Sequence, residues 1–248
     1  MNKLFLTTLT STVLFASTQI YTYTPMIDYK EYVNSNVIDK DYSNFGDLVG
    51  VGIYYISNTR PAKFTIRFEY AGGESTYEGA TWAGTPISNT QKNVHILNLE
   101  GAVGIKYFYL TLGYREWNRG KSEYVGDYDE KYYWNYFGIR YDYTFLFNKN
   151  IAFTPQISYQ LAISPKLKVY LGNSPTLNLG PTHGSYIHLP LYFHTKKLTW
   201  FVFYRYQYWH ISRSNYEVLQ TQNSRELIYE PESITRNQYV GLGILISF

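Results

Sequence analysis

The stretch that decides the fold is Phe64-Thr65-Ile66-Arg67-Phe68-Glu69-Tyr70. Its apolar and aromatic residues fall on every second position, with Thr65, Arg67 and Glu69 between them. In a β-strand successive side chains point to opposite faces, so this segment has one greasy face and one wet face. Arg67 and Glu69 could not share the buried side of a soluble sandwich with an equally apolar opposite side. A strand with lipid on one side and a polar lumen on the other accommodates both.

The same alternation recurs outward from this stretch. Leu97, Leu99, Val103 and Ile105 oppose Asn98 and Glu100, and Phe108, Leu110 and Leu112 oppose Thr111, Gly113 and Arg115. Phe137, Ile139 and Tyr141 oppose Gly138, Arg140 and Asp142. Ile157, Tyr159 and Leu161 oppose Gln156, Ser158 and Gln160. Ile187, Leu189 and Leu191 oppose His188 and Tyr192, and Trp200, Val202, Tyr204, Tyr206 and Tyr208 oppose Arg205 and Gln207. Val49, Val51 and Ile53 oppose Gly50 and Gly52, glycines that leave lumen space to Arg and Tyr side chains.

Connectors alternate in length. Short ones lie around residues 58–61, 106, 148–150 and 195–197, and long ones span residues 71–92, 117–130, 164–182 and 213–234. Short turns at one end and long loops at the other are the pattern of a transmembrane barrel. The fold expected is an all-β, antiparallel up-and-down barrel of ten strands, with eight as the alternative. The first strand is expected over residues 26–37, with Ile27, Tyr29 and Val33 facing lipid and Asp28 and Lys30 facing inward.

Composition agrees. The 248 residues include 29 Tyr, 14 Phe and 5 Trp, no Cys, and a net charge of +3. Aromatics favour strands and interfacial girdles, where Trp117, Trp134 and Trp209 are expected. The mild charge gives no case for nucleic acid. No later segment has the ~18 consecutive apolar residues of a membrane helix. Lys3 followed by a short apolar run and Ala16, Ser17 and Thr18 reads as a signal peptide over residues 1–18, leaving residues 19–248 as one barrel domain.

The final residues, Gln238-Tyr239-Val240-Gly241-Leu242-Gly243-Ile244-Leu245-Ile246-Ser247-Phe248, resemble the C-terminal strand of bacterial outer-membrane β-barrel proteins. The resemblance implies export to the outer membrane of a Gram-negative cell envelope, with Phe248 as the assembly signal read by the barrel assembly machinery. Outer-membrane lipids and lipopolysaccharide are then expected partners, with an extracellular ligand at the surface loops. The barrel size resembles that of omptins and opacity adhesins, a group whose fold does not select an activity.

Inside the wall, Arg67, Glu69, Glu100, Arg115, Arg140, Asp142 and Arg205 fall about five to eight residues from their short turns, which at ~3.3 Å per residue is mid-membrane height. They are expected to form one ionic layer that plugs a narrow lumen, since open pores need about 16 strands. A porin-like narrow solute channel is the alternative. His210-Ile211-Ser212 puts His210 and Ser212 on one face. This resembles the His-x-Ser of lipid hydrolases in the outer membrane, with Ser212 as nucleophile, His210 as base and Glu217, Glu230 or Glu232 as the orienting group. The Asn that follows the Ser in those families is displaced here to Asn215. An omptin-type protease would need an acidic pair and an Asp-His pair, and Asp127-Tyr128-Asp129 reads instead as a solvated loop. His183, His188 and His194 lack metal-ligand spacing, so neither a metal nor a cofactor is expected. The reading is a plugged barrel acting in envelope structure or surface binding through its outer loops.

Overall fold

The computed structural model describes residues 16–57, 61–80, 84–124 and 126–248. Most of the expected leader therefore lies outside the described residues, and Ala16, Ser17 and Thr18 stand in the first strand.

The chain ascends as β1 (Ala16–Met26) and β2 (Asp28–Val33), turns at Asn34 and Ser35, and descends as β3 (Asn36–Tyr42) and β4 (Leu48–Ser57). Both turn residues are left-handed, with φ of 50° and 65°. That is the geometry a two-residue hairpin connection requires. Next come β5 (Ala62–Ala80), β6 (Pro86–Ile105), β7 (Phe108–Asn118) and β8 (Glu130–Asp142). A small hairpin of β9 (Phe145–Asn148) and β10 (Ile151–Phe153) leads into β11 (Gln156–Val169), onto whose top β12 (Thr176–Asn178) folds. β13 (Thr182–His194) and β14 (Thr199–Ile211) follow. β15 (Glu217–Gln220) and β16 (Arg225–Ile228) pair with each other, and β17 (Glu232–Ser247) ends the wall.

Among the described residues the antiparallel pairing runs β1–β4–β5–β6–β7–β8–β11–β13–β14–β17 and returns to β1. The circuit is closed, so the wall has no free edge. At the seam Ser17 pairs with Ser247, and the Phe248 N–H donates to the Ala16 carbonyl at 2.9 Å.

The outward face is apolar. Leu110 is 67% exposed, Ile139 62% and Leu242 60%. A continuous belt of such residues exceeds what a water-facing surface carries and requires lipid around it. The opposite parity is buried, with Arg67, Glu69, Glu100, Arg115, Arg140 and Arg205 among the least accessible side chains.

Four expectations are corrected. The wall-crossing part of the first strand is β1, earlier than residues 26–37, and those residues form its extension above the lipid and the following turn. Within that extension the faces are inverted, because Ile27 and Tyr29 point inward while Asp28 and Lys30 point out. The residues expected as long loops at 71–92 and 164–182 are largely strand, since β5, β6 and β11 continue past the membrane. Trp117, Trp134 and Trp209 are not girdle anchors. They lie inside the barrel at 3%, 3% and 1% exposure.

The reason for an earlier first strand is visible in the pairing. Gly50 stands opposite Tyr23 and Gly52 opposite Tyr21. A Cβ at Gly52 would sit 2.3 Å from the Tyr21 ring, and one at Gly50 2.4 Å from that of Tyr23. The glycines admit two inward tyrosines that a narrow cylinder could not otherwise hold.

Candidate functional site

The lumen is built in storeys, each set by strand parity. Toward the short-turn end, Tyr21, Tyr23, Tyr54, Tyr192, Phe201 and Phe203 pack together. Among them lies the charged layer. Arg205 makes a two-pronged contact with Glu69, at 2.8 and 2.7 Å, and Tyr21 donates to the same carboxylate at 2.6 Å. Arg140 donates to Glu100 at 2.8 Å and to Asp142 at 2.9 Å. Arg67 donates to Gln156 at 2.9 Å with its guanidinium 4.5 Å from the Tyr54 ring centre. Arg115 reaches Asn98 at 2.8 Å and Gln207 at 3.1 Å. Buried charges persist when hydrogen-bonded or paired; Arg140 and Arg205 are ion-paired, while Arg67 and Arg115 donate to neutral amide oxygens. The cavity left between Arg67, Glu69, Glu100 and Arg205 is about 20 Å³, room for a single water.

Above this layer the three inward tryptophans close the bore. Trp134 meets Trp209 edge-on at 5.0 Å, and Trp117 stacks on Tyr132 at 5.3 Å.

Higher still the interior opens into a cup of about 860 Å³. Its floor is Arg119, donating to Asp41 at 2.7 Å, Glu31 at 2.9 Å, Glu130 at 2.6 Å and Asp39 at 3.3 Å. Tyr29 and Tyr132 both hydrogen-bond the neighbouring Glu230. The outward residues at this level include Lys40, Glu78, Glu116 and Lys131 in exposed or half-buried ion pairs, so the cup stands above the lipid belt. An apolar part of the lining comes from Leu167 and Val169 of β11, Leu177 of β12 and Leu219 and Ile228 of the β15–β16 hairpin. Asn173 pins that hairpin with three bonds, from its N–H to the Gln220 carbonyl, from its amide to the Val218 carbonyl, and from the Gln220 N–H to its amide oxygen.

One guanidinium shared among several carboxylates leaves an acid excess out of water. Burial pushes Asp41 up to about 7 in spite of Arg119, and burial together with Glu130 pushes Glu230 up to about 8. Burial likewise raises Glu31, Asp39 and Glu130. Burial penalises the charged form of each of these carboxyls, and one shared guanidinium does not offset that for all of them.

The sequence reasoning missed this cup, although a signal existed. Arg115, Trp117 and Arg119 share one strand parity, as do Asp39 and Asp41. Continuing the alternation past residue 117 would have placed Arg119 inward beside Arg115 and Trp117.

His210, at the end of β14, has Nε2 2.8 Å from Glu232 Oε1, and its ring lies 5.0 Å from that of His183. Ser212 lies beyond the strand end, its N–H donating to the Pro181 carbonyl at 3.2 Å. Among the described residues no hydrogen bond joins His210 to Ser212. Asp127 caps its own loop, accepting from the Ser122 N–H at 2.7 Å and the Ser122 hydroxyl at 2.6 Å. No cluster of three or more His, Cys, Asp or Glu with metal-holding geometry occurs among the described residues.

No family model and no curated protein sequence matches this chain. Solved structures do. The outer membrane protease OmpT from Escherichia coli aligns at 10% identity with a TM-score of 0.57, over 96% of this chain and 98% of that one. Neisserial surface protein A aligns at 11% identity and a TM-score of 0.41, over 94% and 99%. The translocator domain of the autotransporter NalP from Neisseria meningitidis aligns at 10% and 0.42, over 92% and 88%. At such identity the likeness to OmpT is one of fold alone. The chain has the fold of the bacterial outer-membrane β-barrels, and its apolar outward belt fits a lipid surround.

Proposed function

We propose that this barrel binds ligand at the cell surface through its extracellular cup and does not carry solutes across the membrane. The observation that supports this is the contrast in free volume along one axis. About 860 Å³ is open in the cup and about 20 Å³ in the charged layer below it. Cavities of ~300–1,000 Å³ with an apolar wall and a few convergent polar groups are ordinary ligand sites. A void that holds one water passes no hydrated ion.

The test is electrical. The purified chain in a planar bilayer is expected to give no steady conductance, whereas steady ion-selective current that changes in Arg140→Ala would overturn the reading. A second reading, acyl-ester hydrolysis by Ser212 with His210 as base, draws support from the His210–Glu232 bond, which would orient the imidazole. Identical lipid profiles from wild type and Ser212→Ala would discard it.

A further inference from the structure

We propose that the cup receives a small organic cation with an apolar body, its ammonium or guanidinium head among the carboxylates and its alkyl or aromatic body against the leucine wall. The proposal rests on the surface-binding reading above and names the class of ligand for the same site.

Three independent features of the cup carry it. The first is charge. Among the described lining residues Arg119 is the sole cation, while Glu31, Asp39, Asp127, Glu130 and Glu230 are acids. Arg119 is already committed to Glu31, Asp39, Asp41 and Glu130, so Glu230 receives only tyrosine hydroxyls. An anionic or neutral ligand would add to this excess or leave it unrelieved. A cation offsets it.

The second is an acceptor without a donor. Gln91 is 5% exposed and lines the cup, yet its Oε1 has no hydrogen-bond partner. Its amide nitrogen is turned to Asp127 at 3.3 Å, which fixes the oxygen as the free end. A buried acceptor left unpaired costs free energy that an incoming N–H recovers. Ammonium and guanidinium heads carry donors and no acceptors, which suits a lining of this kind.

The third is the apolar wall. Leu167, Leu177 and Leu219 are 1%, 1% and 2% exposed, and they line the same cavity as the acids. A bare metal ion or ammonium would leave that wall uncovered, and a cation with a hydrocarbon body covers it. Tyr77, Tyr128 and Tyr229 also line the cavity, and aromatic rings accept cations on their faces.

Burial lifts Glu230 to about 8, so it holds a proton in the empty cup near neutrality, and entry of a cation expels it. The groups facing Glu230 are Tyr29 and Glu31 of β2, Asp39 and Asp41 of β3, Tyr77 of β5, Arg119 beyond β7, Asp127 and Tyr128 of the next loop, and Glu130 and Tyr132 of β8. Of these only Arg119 is cationic. Affinity therefore rises with pH through the range around 8 in which Glu230 titrates. An alkyl amine stays protonated there, as lysine does at about 10.4.

The experiment uses the full chain in detergent and three probes of one shape, 4-phenylbutylamine, 4-phenylbutanol and 4-phenylbutanoate, followed by calorimetry at pH 5.5 and 8. The amine is expected to bind one per chain, ~10-fold or more tighter than the alcohol, with the acid weakest, and more tightly at pH 8 than at 5.5. Glu230→Gln is expected to weaken the amine about tenfold and to leave the alcohol unchanged. If Glu230→Gln fails to fold, Asp39→Asn is read in the same way. Equal binding of amine and alcohol, or a flat pH dependence, would overturn the cation assignment while leaving a surface cup that binds apolar ligands. Absence of binding by all three probes would overturn it as well. Steady conductance in the bilayer test strikes the surface-binding reading separately.

Discussion

The charged layer in the bore and the acid cup above it are made of the same side chains, buried to the same degree, and they do opposite things. In the layer, Arg67, Arg115, Arg140 and Arg205 stand against Glu69, Glu100 and Asp142, and the remaining donors end on Gln156, Asn98 and Gln207. Four cations stand against three anions and each is hydrogen-bonded, so the charges nearly balance and the bore is filled. In the cup Arg119 alone faces a ring of carboxylates. One cation stands there against several carboxylates, and burial raises Glu31, Asp39, Asp41, Glu130 and Glu230. Balance makes a plug, and imbalance makes a site with room for a counter-ion.

Deleting one partner from the balanced layer should have the largest effect. Arg205→Ala strands the buried Glu69 and is expected to cost about 3–5 kcal/mol, read as a lower urea midpoint in lipid vesicles. Replacing both partners, Arg205→Met with Glu69→Leu, should restore most of that loss. A double variant as unstable as the single one would show that the layer is not held by pairing.

Packing separates the two regions next. Gly52→Ala drives a methyl into the Tyr21 ring and is expected to cost about 1–3 kcal/mol in the same assay. Ala80→Ser at the exposed rim of the cup should stay within about 0.5 kcal/mol of wild type.

Arg119→Ala should fall below Arg205→Ala at pH 6, about 1–2 kcal/mol, because the carboxylates it leaves behind can take up protons. At pH 8.5 that refuge is lost and the cost should grow. An equal cost at both pH values would break the contrast.

The smallest effect is that of pH on the wild-type chain. Asp41 and Glu230 have folded values raised to about 7 and 8, above those of the unfolded chain. Their contribution is complete below the unfolded carboxylate range of about 4 and is lost as pH rises through 7 and 8. Hydrogen exchange, corrected for its intrinsic pH dependence, should show β2 and β3 loosening between pH 6 and 9 while β5 and β14 below the cup hold steady.

How much of this was legible follows from where parity has a physical meaning. Between Phe64 and Tyr70, or Phe137 and Tyr141, lipid lies on one side and the packed lumen on the other, so each residue announces its face. Above the belt both faces can be wet. Asp28 and Lys30 outside look no different in sequence from Asp39 and Asp41 inside, and the cup went unread. The first strand was misplaced for the converse reason. Its inward side carries Tyr21 and Tyr23, aromatic residues that look lipid-facing until Gly50 and Gly52 are set opposite them. The tryptophans misled in the same way, since a ring suited to an interface also fills a bore.

The chain has no cysteine, so single thiols can be placed at will. The most direct test of a sealed bore beneath an open cup is labelling of intact cells with a membrane-impermeant maleimide. Ala80→Cys lines the cup and Ser158→Cys, at 2% exposure, faces the bore at the level of Arg140. Rapid labelling of Ala80→Cys with Ser158→Cys left unmodified until the barrel is unfolded is the expected result. Labelling of Ser158→Cys from outside at a comparable rate would contradict the account.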